Sequence, residues 1–250
     1  MYKMIVIDLD NTLLTEEKMI TQFTKDILYK YQKLGFKLII ATARSEKAAM
    51  PYLKFLYPDA VIYNNGSLIK SNQNIIYEKM IPNHVCRDLI HFCTECYGLK
   101  NTKVVTRYGD FTNSLHNINS ILEYNNYNNF LHDAYKITIK TEEEIAWQIA
   151  QKYKECSMFR FENRNSFVFT QSGANKGTAV KKIAVQYDID IDDVIAFGDD
   201  SGDIEMLKIC GMGVAVGNAK QDVKKIANDI CESNENDGVA KWIEKHINII

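Results

Sequence analysis

The chain has 250 residues, 46% of them hydrophobic and 25% charged, which is enough material for a large core and for more than one domain. A net charge of -2 without a basic stripe excludes the phosphate-neutralising footprint of a nucleic-acid binder, and no apolar run approaches a membrane span. Met1 to Ile7 leads straight into a strand instead of a secretion signal, and six scattered cysteines make no disulfide framework, so a cytoplasmic protein in a reducing compartment is expected.

Lys3 to Ile7 is an apolar, branched run without polar alternation, the pattern of a parallel strand buried on both faces. Thr21 can cap a helix whose apolar positions Phe23, Ile27, Tyr31 and Leu34 recur at helical spacing, and Gly35 can end it. Leu38 to Ala41 repeats the buried-strand pattern. A helix from Ser45 towards Tyr57, a strand at Val61 to Tyr63 and a turn at Asn64-Asn65-Gly66 follow. The same rhythm returns late in the chain, with helix Lys176 to Tyr187, strand Val194 to Phe197, helix Asp203 to Ile209, strand Val214 to Val216 and helix Asp222 to Ala227. Such alternation predicts an α/β fold, a Rossmann-like parallel sheet with helices on both faces.

Between these halves the rhythm changes. Helices Asn83 to Tyr97 and Glu142 to Lys154 mix with strands Lys103 to Arg107, Tyr135 to Ile139 and Ser166 to Thr170. The expected organisation is a discontinuous core, residues 1–81 and 173–250, with an inserted α+β cap at residues 82–172 that closes over the site and sets substrate specificity. Cys86, His91, Cys93 and Cys96 share one predicted helix, which cannot wrap four ligands around one ion, so buried helix packing is expected there.

In open parallel sheets ligands bind beyond the carboxyl ends of the strands. Residues just past those ends are Asp8, Asp10 and Thr12; Thr42, Ala43 and Arg44; Asn64, Asn65 and Gly66; and Gly198, Asp199, Asp200 and Asp203, with Lys176 opening the preceding helix. Carboxylates without histidine or cysteine suit magnesium, and Asp8, Asp199 and the Asp10 carbonyl are the candidate ligands. Magnesium and Lys176 would offset the charge of a phosphate monoester, letting an ionised Asp8 attack phosphorus. Asp10, acting as acid and then as base, would need its pKa raised by an acidic neighbourhood and partial burial. Arg44 is read equally as a substrate contact or as a bridge to a carboxylate, and Asp200 as solvent-facing or structural.

Asp8-Leu9-Asp10-Asn11-Thr12, Ala41-Thr42-Ala43-Arg44, Asn65-Gly66-Ser67, Asn175-Lys176-Gly177, Gly198-Asp199-Asp200-Ser201-Gly202-Asp203 and Val216-Gly217-Asn218-Ala219 occur in the order of the haloacid dehalogenase superfamily. The chain resembles its Cof-type sugar-phosphatase branch over nearly its whole length. That resemblance implies Asp8 as nucleophile, Asp10 as acid/base, Thr42 and Lys176 as phosphate ligands, Mg2+ on Asp8, the Asp10 carbonyl and Asp199, and Asp203 orienting a metal water or Lys176. The expected substrate is a small phosphorylated metabolite. Ala43 stands where the family has glycine, although its backbone N–H can still face the phosphate, and Gly202 removes an asparagine side chain. A phosphomutase, or a non-catalytic protein that binds a phosphate ligand, is the alternative reading. Asn65 is a further phosphate-side candidate.

Overall fold

The computed structural model describes residues 2–72, 74–99, 101–115, 122–160 and 165–247. The chain divides into two compact units, one made of Met1–Tyr77 with Asn175–Ile250 and the other of Glu78–Ala174.

The first unit is built on strand β1 (Met4–Asp8), buried throughout, an apolar run without the alternation of a strand that has one face in solvent. Helix α1 (Gln22–Lys33) starts where Thr21 accepts a hydrogen bond from the Thr24 backbone N–H. It stops before Gly35, whose φ of +94° no β-carbon-bearing residue adopts easily. Strand β2 (Lys37–Ala41), helix α2 (Glu46–Leu53), strand β3 (Ala60–Tyr63) and strands β4 (Leu68–Ser71) and β5 (Asn74–Glu78) follow. The sheet resumes after the second unit with helix α5 (Lys176–Gln186), strand β12 (Val194–Gly198), helix α6 (Ile204–Ile209), strand β13 (Met212–Ala215), helix α7 (Gln221–Ile226), the short strand β14 (Asp229–Ile230) and helix α8 (Gly238–His246).

Eight strands lie in the order β14-β13-β12-β1-β2-β3-β4-β5. The pairs from β14 through β3 are parallel, and β4 returns antiparallel to β3, so the all-parallel expectation needs correction at that edge. A tight turn at Asn64–Gly66 reverses the chain there, and reversal by a turn makes an antiparallel pair. Helix α2 is also shorter than expected, ending at Leu53 just after Pro51. Helix α8, which had no sequence expectation, docks on α1, and the Tyr31 hydroxyl donates to the Ile243 and Ile247 carbonyls at 3.3 and 3.1 Å.

The second unit carries helices α3 (Asn83–Tyr97) and α4 (Glu143–Lys152) and a six-stranded sheet in the order β10-β11-β9-β6-β7-β8. Those strands are β6 (Thr102–Thr106), β7 (Asp110–Thr112), β8 (Leu122–Tyr124), β9 (Ala134–Lys140), β10 (Cys156–Arg160) and β11 (Ser166–Gln171). Val85, Leu89, Cys93, Ala146 and Ile149 of the helices share one core with Ile137, Ile139, Phe167 and Phe169. Period-2 alternation along β9 and β11 supplies that face, and each large apolar side chain removed from water contributes roughly 1.5–3 kcal/mol. Cys86 and Cys93 are buried in this core, whereas His91 and Cys96 are exposed, so the packing reading holds for only half of that set. No helix among the described residues is long and apolar enough to cross a membrane.

Candidate active site

Asp8 is the last residue of β1, and the register pairs it with Ala41, the last residue of β2. The loops leaving these two strands therefore start side by side. Gly198 ends β12, the neighbour of β1 on the other side. All three loops leave the sheet at its carboxyl edge, where unpaired backbone and incoming side chains converge.

Lys176, the first residue of α5, is buried, with its ammonium 2.5 Å from Asp8 Oδ1 and 2.6 Å from Asp203 Oδ1. Asn175 caps that helix by accepting from the Thr178 N–H, which fixes where the lysine departs. Asp203 is fully buried. Its second oxygen accepts the backbone N–H groups of Asp199 and Asp200 at 3.0 and 3.1 Å, so one side chain ties the loop after β12 to the lysine. Gly198 must be glycine for this, since a Cβ there would lie 2.5 Å from the Asp203 Cβ. Thr12 donates to Asp199 Oδ1 at 2.9 Å, and the Lys220 N–H donates to the Asp199 carbonyl. Carboxylate oxygens of Asp8, Asp199 and Asp203 all lie within 4.8 Å of one another.

Burial raises the Asp8 carboxyl well above its ordinary pKa, and the charges of Asp203 and Asp199 push the same way against the opposing pull of Lys176. Burial thus moves Asp8 off the unperturbed value assumed from the sequence, and the Lys176 ammonium opposes that shift. Asp199 is pushed up to about 7, by burial first and then by Asp203 and Asp200. Burial works against the Lys176 ammonium, but Asp203 and Asp8 more than offset it and hold the proton in place. Three clustered carboxylates thus face one ammonium, an electrostatic deficit that an oxygen-preferring dication matches.

Asp10 stands apart from this cluster. Arg44 Nε donates to Asp10 Oδ2 and Nη2 to Oδ1, both at 2.6 Å, and Lys18 Nζ adds a bond at 3.1 Å. Burial raises the Asp10 carboxyl, yet the hydrogen bonds and charge of Arg44, with those of Lys18, outweigh it and hold the pKa below the usual range. The expected upward shift of Asp10 is therefore wrong in sign, because its neighbours are cations and not the carboxylates nearest in sequence. Arg44 bridges to a carboxylate. Its partnership could be suspected from its place just beyond β2, whereas nothing in the sequence marks Lys18.

Thr42 is fully buried, with its hydroxyl accepting from the Arg44 N–H and its carbonyl from the Asn65 N–H. Ala43 is half-buried between Thr42 and Arg44 and lies outside the left-handed backbone region. Asn64 and Asn65 both take left-handed backbone (φ 51° and 56°), and Gly66 follows at +100° where a Cβ would lie 2.2 Å from the Asn175 carbonyl oxygen. That close approach carries the 64–66 turn onto the start of α5. Asn65 Oδ1 is buried without a hydrogen-bond partner, and the position of an added Gly202 Cβ lies 3.2 Å from it. Asp200 accepts the Gly202 N–H, a structural role. Asn218 braces the far side by donating to the Asn11 carbonyl at 2.7 Å.

In the second unit Arg107 is ion-paired with Glu78, Arg160 reaches Glu143 at 3.2 Å, and Tyr108 packs on His132. Arg164, also a sequence candidate for leaving-group contact, lies outside the described residues.

A family model described as haloacid dehalogenase-like hydrolase matches residues 5–243. The chain belongs to that family. Proteins similar to it include two from Bacillus subtilis (strain 168), each 27% identical. The putative phosphatase YkrA aligns over 97% of both chains, and the 5-amino-6-(5-phospho-D-ribitylamino)uracil phosphatase YitU over 98% of both. Among solved structures, the phosphatase BT1666 of Bacteroides thetaiotaomicron superposes with a TM-score of 0.87 at 24% identity, covering 98% of this chain and 95% of that one. That likeness carries the fold. Full-length relatives named as phosphatases, together with the family match, make this chain a phosphatase of the haloacid dehalogenase-like hydrolases.

Proposed function

We propose that the enzyme hydrolyses a small phosphate monoester, such as a sugar or polyol phosphate, through an aspartyl-phosphate on Asp8. The observation that carries this reading is the buried contact of Asp8 with Lys176, at 2.5 Å, at the carboxyl end of the central strand. An ammonium has three N–H donors, and with two on Asp8 and Asp203 the third can serve a phosphoryl oxygen. Thr42, the backbone N–H of Ala43 and the side chain of Asn65, whose own N–H is spent on the Thr42 carbonyl, complete the phosphate side. Magnesium fits the donor set, held by Asp8, Asp199 and the Asp10 carbonyl, and when bound would neutralise charge on the phosphoryl oxygens. The Asp203 oxygens are committed to Lys176 and to two backbone N–H groups, which favours a positioning role over ligation.

Asp8 forms the new bond to phosphorus as the ester oxygen leaves and takes a proton from Asp10. Water then attacks phosphorus, Asp10 removes its proton, and the bond to Asp8 breaks to release phosphate. The dianionic phosphate arriving beside Asp10 raises its proton affinity against the pull of Arg44.

Phosphate release from sugar phosphates, nucleotides, pyridoxal phosphate and flavin mononucleotide, with magnesium or with chelator, tests the reading. Asp8→Asn is expected to abolish turnover on every substrate of the panel. Wild-type turnover by Asp8→Asn in magnesium would sink it.

A further inference from the structure

We infer that Arg44, braced from behind by Tyr52, is the positioning residue that aims the Asp10 carboxyl at the leaving-group oxygen. The inference rests on the acid/base reading of Asp10 given above. Its ground is that the guanidinium is fastened on both sides. In front, Nε and Nη2 hold the two Asp10 oxygens, each at 2.6 Å, in the two-pronged geometry that only arginine provides. Behind, Nη1 donates to the Ala48 carbonyl at 3.3 Å and to the Tyr52 hydroxyl at 3.4 Å, and the guanidinium carbon lies 4.6 Å from the Tyr52 ring centroid. Ala48 and Tyr52 are four residues apart on α2, so one helix face presents both contacts.

All three guanidinium nitrogens are thus engaged by the protein, which suits a fixed bracket better than a hand reaching for the substrate phosphate. The anchor is also where the strands deliver it. Adjacent parallel strands in register at Asp8 and Ala41 release Asp10 and Arg44 side by side. A carboxyl held at both oxygens by a stationary fork keeps its direction, and Oδ2, which accepts from Arg44 Nε while Oδ1 also takes Lys18, keeps a second lone pair for the proton. Lys18, more exposed than the arginine, is the partner of Asp10 that yields most readily.

An ester whose leaving group departs as a poor alkoxide needs that proton, whereas p-nitrophenolate leaves readily without it. The test compares kcat/KM for a simple alkyl phosphate and for p-nitrophenyl phosphate, in magnesium, across Arg44→Lys, Arg44→Ala, Tyr52→Ala and Tyr52→Phe. For Arg44→Lys and Arg44→Ala the alkyl phosphate should lose about tenfold or more relative to p-nitrophenyl phosphate, through kcat and not KM. Tyr52→Ala should show the same selective loss, smaller in size, and Tyr52→Phe less again because the ring remains. Equal losses on the two substrates, a rise in alkyl turnover, or a loss confined to KM would overturn the inference. If Arg44→Ala does not fold, Arg44→Lys and Tyr52→Ala carry the same comparison. Asp10→Asn, run alongside, separates the two claims: if it fails to discriminate between the substrates, the acid/base role of Asp10 falls, and if it discriminates while the Arg44 variants do not, only the positioning role falls.

Discussion

Two carboxylates two residues apart, Asp8 and Asp10, sit in opposite electrostatic surroundings. Asp8 lies on a buried floor with Asp199, Asp203 and a single ammonium, and desolvation drives its pKa up. Asp10 lies at a partly open rim between two cations, and its pKa is driven down. The difference teaches that the floor is short of positive charge and the rim is not. A floor of that kind is prepared to receive a cation together with a phosphate, while the rim is already neutralised and serves to hold one group in a fixed direction.

The sharpest way to break this contrast is to remove the floor's ammonium. Lys176→Ala should lower kcat by about a hundredfold to a thousandfold, because a donor aimed at developing charge is lost. It should also cost roughly 3 kcal/mol of stability in chelator, read by urea unfolding, because Asp8 and Asp203 are left buried without their partner. An unchanged kcat would mean that the floor does not hold the phosphate.

A smaller effect should appear in the pH dependence of stability. Asp199 has its native pKa raised from an unfolded value of about 4 to about 7. Within that window the native state binds more protons than the unfolded state, so in chelator stability should fall as pH rises and level off above it. Excess magnesium should flatten or reverse the trend, since the ion binds the ionised carboxylates. Thermal melts at pH 5 and pH 8, with chelator and with magnesium, read the sign directly.

The smallest expected effect is at Gly202. A side chain there would point between Asp200 Oδ1 and Asn65 Oδ1, at 3.1 and 3.2 Å from its Cβ. Gly202→Asn should leave stability within about 0.5 kcal/mol, because Gly202 is not among the glycines of positive φ and the new amide can donate to the unpartnered Asn65 oxygen. Loss of several kcal/mol would show that the space is closed.

Much of the core architecture was legible in the sequence, because β1, β2, β3 and β12 are continuous apolar runs that no solvent-facing element tolerates. Helix α3 matched its expected bounds, with apolar residues at helical spacing and Gly98 ending it in the left-handed region. Strands β5 and β10 were missed: most of their residues are only half-buried or exposed, so alternation is faint, and β14 has two residues. Helix α8 was missed because it opens directly out of a left-handed Asp237, whose Oδ1 accepts from the hydroxyls of Thr21 and Thr24 on another element.

By itself the sequence determined which side chains stand just past the strand ends and which one opens the late helix, since a continuous apolar run announces its own last residue and the loop beyond it. It therefore marked Asp8, Asp10, Thr42, Lys176 and Asp199 and the family to which they belong. Only the tertiary structure decided which partner each one meets. Lys176 reaches Asp8 across 168 residues of chain, and Arg44 reaches Asp10 across 34. The charge state of a carboxylate depends on burial and on neighbours within a few ångströms, and strand register sets those neighbours where order along the chain does not.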